Sequence, residues 1–124
     1  MRAAHIVIAS FLSAVPMVAG AASLPIDGKY GNKPGCHYAK TEESSGEDDF
    51  LLLTPEDVRT AVAYCSFKSI DRKTGDTITA TLSCADEGEA GDKDFIADII
   101  RSGSDSYTVK FRDGSTWGPM TRCR

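Results

Sequence analysis

Four cysteines constrain this chain more than any other feature. Cys36, Cys65, Cys84 and Cys123 are spread over 124 residues, with no C-x-x-C pair and no histidine cluster beside them. That arrangement suits neither a zinc site nor a redox motif. An even count in a short chain suits two disulfides, provided folding takes place in an oxidising compartment. The N-terminus points to such a compartment. Met1-Arg2 is a short positive start, and Ile6 to Val15 is apolar apart from Ser10 and Ser13. Pro16 breaks the run, and Ala19 and Ala21 stand at the −3 and −1 positions of a signal-peptidase site. The pattern reads as a signal peptide over residues 1–21 followed by one domain over residues 22–124, with a cut after Ala22 as the near alternative. The run is short of the ~20 residues that span a bilayer, so a membrane anchor is the weaker reading. No cysteine sits at the cut, which argues against lipid attachment. The expected location is periplasmic or extracellular.

A domain of roughly 100 residues has a modest core and gains from cross-links. The most informative stretch pairs two β-prone runs, Ala63–Ile70 and Thr77–Cys84, around Lys73-Thr74-Gly75-Asp76. If the hairpin centres between Thr74 and Gly75, Phe67 faces Leu82 and Cys65 faces Cys84. Cys65 and Phe67 then share one face with Ile78, Ala80, Leu82 and Cys84, while Ser66, Lys68, Thr81 and Ser83 take the other. Directly opposed residues lie within disulfide range. This predicts Cys65–Cys84 and leaves Cys36–Cys123, a pair that would tie the first strand region to the last, as in a closed up-and-down barrel. The rival pairing, Cys36–Cys65 with Cys84–Cys123, stays open.

Other signals support the same class. Asp113-Gly114 suits a type I′ hairpin turn, preceded by the alternation of Tyr107, Val109 and Phe111 with Thr108 and Lys110. Pro119 in the returning strand implies an edge or a bulge. Residues 92–101 carry both helical spacing (Phe95, Ile96, Ile99, Ile100) and an isoleucine-rich strand character, and the strand is favoured. Thr54-Pro55-Glu56-Asp57 reads as a helix start, with Thr54 as cap and one or two turns continuing through Val58 and Val62. The expected fold is mainly β: a small antiparallel up-and-down meander or barrel with one short helical turn and two disulfides.

Chemistry is sparse. His37 is the one histidine beyond the leader and hence the one candidate general base; its place beside Cys36 reads more simply as a residue flanking a cross-link. There is no G-x-S-x-G, no Gly-rich phosphate loop and no H-E-x-x-H. The acidic stretches Glu42–Asp49 and Asp86–Asp94 lack the ligand order of an EF-hand, so no metal and no cofactor is assigned. Loss of Arg2 with the leader takes the formal charge from −4 to −5. That balance disfavours nucleic acid and anionic lipid and would attract a basic protein. Trp117, the only tryptophan, lies opposite Lys110 in the simple register, on the face away from Tyr107, Val109 and Phe111. A solvated Trp117 is the candidate partner anchor; a Trp117 that caps the core after a register shift at Pro119 is the plainer reading.

Asp27-Gly28-Lys29-Tyr30-Gly31, Cys36, the run Leu53–Val58 before Cys65-Ser66-Phe67, Leu82-Ser83-Cys84 and the closing Arg122-Cys123 resemble small uncharacterised secreted or periplasmic bacterial β-domain proteins. The resemblance spans most of residues 22–124 and implies fold and location. A weaker likeness is to periplasmic protease and lysozyme inhibitor barrels, which are small and disulfide-bonded; Ser102-Gly103 and Tyr107 echo part of the latter's pattern. Tyr30 stands where the protease-inhibitor barrels carry tryptophan, and no functional residues are carried over. The reading is an exported binding or inhibitory module acting on another extracytoplasmic protein. A lipocalin-like carrier is the alternative and an enzyme the third choice. Peptide mapping without reduction is expected to return Cys65–Cys84 and Cys36–Cys123 on a chain starting at Ala22. Fragments joining Cys36 to Cys65 would overturn the hairpin register.

Overall fold

Alternation of apolar and polar residues along successive strands sends one face inward, and here the sheet curls until its edges meet. In the computed structural model, which describes residues 22–86 and 91–124, eight strands form a closed antiparallel barrel in sequence order. They are β1 (Tyr30–Gly31), β2 (Leu51–Leu53), β3 (Asp57–Thr60), β4 (Ala63–Thr74), β5 (Thr77–Asp86), β6 (Lys93–Ser102), β7 (Ser106–Phe111) and β8 (Thr116–Arg122), with one helix, α1 (Lys33–Thr41), between β1 and β2. The expected leader, residues 1–21, lies outside the described residues.

The inward face is the one the alternation names. Cys65, Phe67, Ala80 and Leu82 are fully buried, with Ile78 and Cys84 nearly so; Val109, Tyr107 and Phe111 join them. Burying each large apolar side chain contributes on the order of 1.5–3 kcal/mol. Residues 93–102 form a strand, with Ala97 and Ile99 inward. Ser66, Lys68, Thr81 and Ser83 face outward. Both disulfides form as expected: Cys65–Cys84 with Cα atoms 4.0 Å apart, and Cys36–Cys123 at 5.1 Å. Their loops, 19 and 87 residues, correspond to about 3 and 4–5 kcal/mol of denatured-state entropy.

The hairpin that predicted the first disulfide is right at the cysteines and displaced at its turn. Thr74 pairs with Thr77, so the turn is the two residues Gly75-Asp76. Register shifts between Phe67 and Ser69 and between Ile70 and Arg72 leave Lys68 and Asp71 unpaired in β4, and these two extra residues restore Phe67 opposite Leu82 and Cys65 opposite Cys84. The first bulge also turns Ile70 toward the core, where strict alternation from Phe67 would send it outward. At the other hairpin only Gly114 takes a positive φ, +94°, and its N–H donates to the Phe111 carbonyl. The turn is therefore not type I′, which needs positive φ at Asp113 as well.

The helix is not where it was expected. Thr54 does cap, but it caps a turn: its hydroxyl accepts from the N–H of Glu56 at 3.2 Å and of Asp57 at 3.1 Å. The chain then enters β3, because pairing with both β2 and β4 buries Val58 completely while leaving Val62 61% exposed. A helix would have put both valines on one face. The observed helix starts soon after β1, at Lys33, with Asn32 as cap: its side-chain oxygen accepts from the Gly35 N–H at 3.0 Å and from the Leu51 N–H at 3.0 Å. Pro34-Gly35, which reads as a turn, is its first turn.

Gly35 is where the helix meets the barrel wall. A Cβ there would fall 1.7 Å from the Leu51 carbonyl oxygen, which is backbone and cannot step aside. Gly35→Ala is expected to cost about 1–3 kcal/mol or more in urea unfolding, although alanine favours helix. An unchanged or raised midpoint would contradict this packing.

Candidate functional site: an aromatic mouth at one end of the barrel

β8 decides where Trp117 points. Tyr107 pairs with Met120 and Val109 with Trp117, so Gly118-Pro119 together oppose Thr108. Proline has no N–H for the ladder, and the extra residue absorbs it as a bulge. Gly118 holds φ +133°, and a Cβ there would lie 3.1 Å from the Thr108 backbone. On the turn side of this bulge the Phe111 N–H donates to the Ser115 carbonyl and Lys110 pairs with Thr116, so the hairpin is centred on Asp113 and Trp117 stands opposite Val109, not Lys110 as the simple register has it. Trp117 thus shares the face of Val109 and Phe111.

Trp117 is half-buried and packs edge-to-face on Phe111, ring centroids 4.6 Å apart; Phe111 meets Phe95 edge-to-face at 6.2 Å. Such pairs add about 0.5–1.5 kcal/mol each beyond their buried area. The three rings line a recess of ≈ 130 Å³ at the mouth of the barrel, shared with the Cys65–Cys84 bridge, Asp86, Asp113 and Ser115. Ligand pockets for drug-sized molecules run to about 300–1,000 Å³, so this recess fits a single side chain. Asp113 accepts from the Ser115 hydroxyl at 2.6 Å and from the Ser115 N–H at 2.8 Å. These bonds, the hydroxyl first, hold its carboxyl below the usual aspartate range, so it stays anionic at neutral and mildly acidic pH.

His37 lies elsewhere, exposed on α1, where its carbonyl accepts from the Thr41 hydroxyl at 2.9 Å. Among the described residues no group of three or more His, Cys, Asp or Glu side chains could hold a metal.

A second aromatic group escaped the sequence. Arg59 on β3 lies over the Tyr64 ring at 4.8 Å and the Tyr38 ring at 6.0 Å, and Tyr38 packs edge-to-face on Phe50 at 5.6 Å. The buried Asp57 carboxylate accepts from Arg59 at 3.1 Å and from the Tyr64 hydroxyl at 3.4 Å. Arg59 and Tyr64 face each other only if residues 57–60 are a strand, and the helix reading of Thr54–Val62 hid that pair. This cluster fastens α1 to the outer wall, with its cation already matched by Asp57.

No protein-family model matches this chain, and no curated protein or solved structure is significantly similar to it. Trp117, as the only tryptophan, reports on the mouth directly. Its fluorescence is expected to be quenched by acrylamide at a rate between those of free and fully buried indole. Complete protection, or quenching as fast as free indole, would contradict the half-buried placement.

Proposed function

We propose that this protein is an exported binding module that docks onto a basic segment of another extracytoplasmic protein. The observation that carries the reading is the mouth itself: three aromatic rings around a recess for one side chain, edged by Asp86 and Asp113. An aromatic face next to carboxylates suits a lysine or arginine, through cation–π attraction and charge pairing. The net negative charge of the chain would steer such a partner in. Two disulfides, and the lack of a helix long and apolar enough to cross a membrane among the described residues, are compatible with an extracellular or periplasmic protein. The leader pattern at residues 1–21 supports export, and the likeness to periplasmic inhibitor barrels supports inhibition as the form binding takes.

The lipocalin-like alternative is less well supported. Tyr30, Phe67, Leu53, Leu82, Ile99 and Met120 fill the lumen as the largest fully buried side chains, where a carrier needs space. The enzymatic reading rested on His37 in a cleft beside a carboxylate, and an exposed histidine on a helix gives it little support.

The test is binding to, and inhibition of, a panel of exported hydrolases, read by titration calorimetry and activity. Trp117→Ala is expected to weaken a positive interaction at least about tenfold, as a central aromatic anchor does, with circular dichroism unchanged. A partner bound equally well by the wild type and Trp117→Ala would refute the mouth as the docking surface.

A further inference from the structure

The two disulfides sit in opposite surroundings. Cys65 and Cys84 are 0% and 5% exposed, between β4 and β5. Cys36 and Cys123 are half-buried and open into a cleft of ≈ 340 Å³ lined also by Lys29, Ala39, Lys40 and Arg124. Three cations at one disulfide are notable on a chain with 18 acidic residues and a net charge of −4. Arg124 is paired with Asp105 at 3.1 Å. Lys29 and Lys40 are exposed and form no ion pair among the described residues. Lys40 follows Cys36 by one helical turn, so the two share a face of α1.

We propose that Cys36–Cys123 is a thiol-exchange site for anionic low-molecular-weight thiols. Exchange requires a thiolate to reach one sulfur and a stabilised thiolate to leave from the other. The cleft provides the approach. Lys29 and Lys40 attract an anionic reagent and stabilise the leaving sulfur, for which Cys36, in the first turn of α1 beside Lys40, is the better placed. The incoming thiolate attacks Sγ of Cys123. The Cys36–Cys123 bond breaks, its electron pair leaves on Sγ of Cys36, and a mixed disulfide forms at Cys123. A second thiolate attacking the outer sulfur of that mixed disulfide releases the oxidised reagent and leaves Cys123 as thiolate. In total the protein bridge takes up two electrons and two reagent thiols are oxidised to one disulfide. Opening it detaches α1 from the end of β8 without touching the core bridge.

The test treats the purified, oxidised protein with glutathione, which is anionic, or cysteamine, which is cationic, and alkylates and maps the products over time. Cys36–Cys123 is expected to open first with both reagents, with the glutathione adduct on Cys123. The ratio of the glutathione rate to the cysteamine rate is expected to fall at least about fivefold in Lys29→Gln/Lys40→Gln, since each lost cation weakens attraction for one reagent and repulsion of the other. Taking a ratio removes the intrinsic difference between the two thiols. Equal or earlier opening of Cys65–Cys84, an unchanged ratio in the variant, or a glutathione adduct on Cys36 would each overturn the proposal. Both lysines are exposed and outside the core, so the variant removes charge from the cleft and leaves the core packing in place.

Discussion

The barrel depends on its last seam. β4 and β5 share ten residue pairs, but β1 and β8 close the circle with two, Tyr30 with Arg122 and Gly31 with Thr121. An unclosed sheet would expose two unpaired edges and open its apolar face to water. Other contacts make up for the short ladder. Tyr30 is buried in the core, edge-to-face with Tyr107 at 4.8 Å, and its hydroxyl donates to the Asp27 carbonyl at 2.9 Å. The Arg122 guanidinium lies over the Tyr30 ring at 5.0 Å and reaches both Asp27 and Asp105. The Cys123 N–H donates to the Lys29 carbonyl at 2.8 Å, and Cys36–Cys123 locks α1 to the same edge. Arg122 holds the Asp27 carboxyl below its usual range, so that pair supports the fold at neutral pH and lapses as pH falls through the lowered value. Asp27 is exposed, so the pair counts for less than the ring and the bridge.

Much of this was legible in the sequence because side-chain period and burial agree. The inward faces of β4, β5 and β7, the strand at residues 93–102 and the leftover cysteine pair all follow from alternation and opposition. What was not legible depends on partners distant in sequence. Thr54-Pro55-Glu56-Asp57 carries sound helix-start chemistry, and its Thr54 hydroxyl bonds form as a cap would form them; β2 and β4 pull the chain into a strand on either side. Asn32-Lys33-Pro34 carries equally good helix-start chemistry and was masked by the turn signal of Pro34-Gly35. Bulges leave almost no local mark. Lys68 and Asp71 cancel a misplaced turn centre in β4, and Gly118-Pro119 does the same in β8, where the true turn centre at Asp113 puts Trp117 at the mouth and the bulge restores Met120 opposite Tyr107.

The turn links fold to candidate site. Centred on Asp113, it sets Trp117 opposite Val109, where a centre between Asp113 and Gly114 would leave Trp117 with Lys110 on the outer wall; the Gly118-Pro119 bulge then returns the buried Met120 to its place opposite Tyr107. The lumen below is packed by side chains from every side, so recognition falls to the rim. There Phe95, Phe111 and Trp117 meet Asp86, Asp113 and Ser115, while Lys29, Lys40 and Arg124 line the cleft at the Cys36–Cys123 bridge. Each disulfide thus borders a recess of its own, one lined by aromatic rings and two carboxylates, the other by three cations.

Cross-strand nuclear Overhauser contacts on the oxidised protein test barrel closure most directly. Closure predicts contacts between Tyr30 and Arg122 and between Gly31 and Thr121, with slow exchange of the Cys123 amide that donates to Lys29. A β1 that contacts β2 but shows no contact with β8, with a fast-exchanging Cys123 amide, would mean an open sheet and would contradict the account.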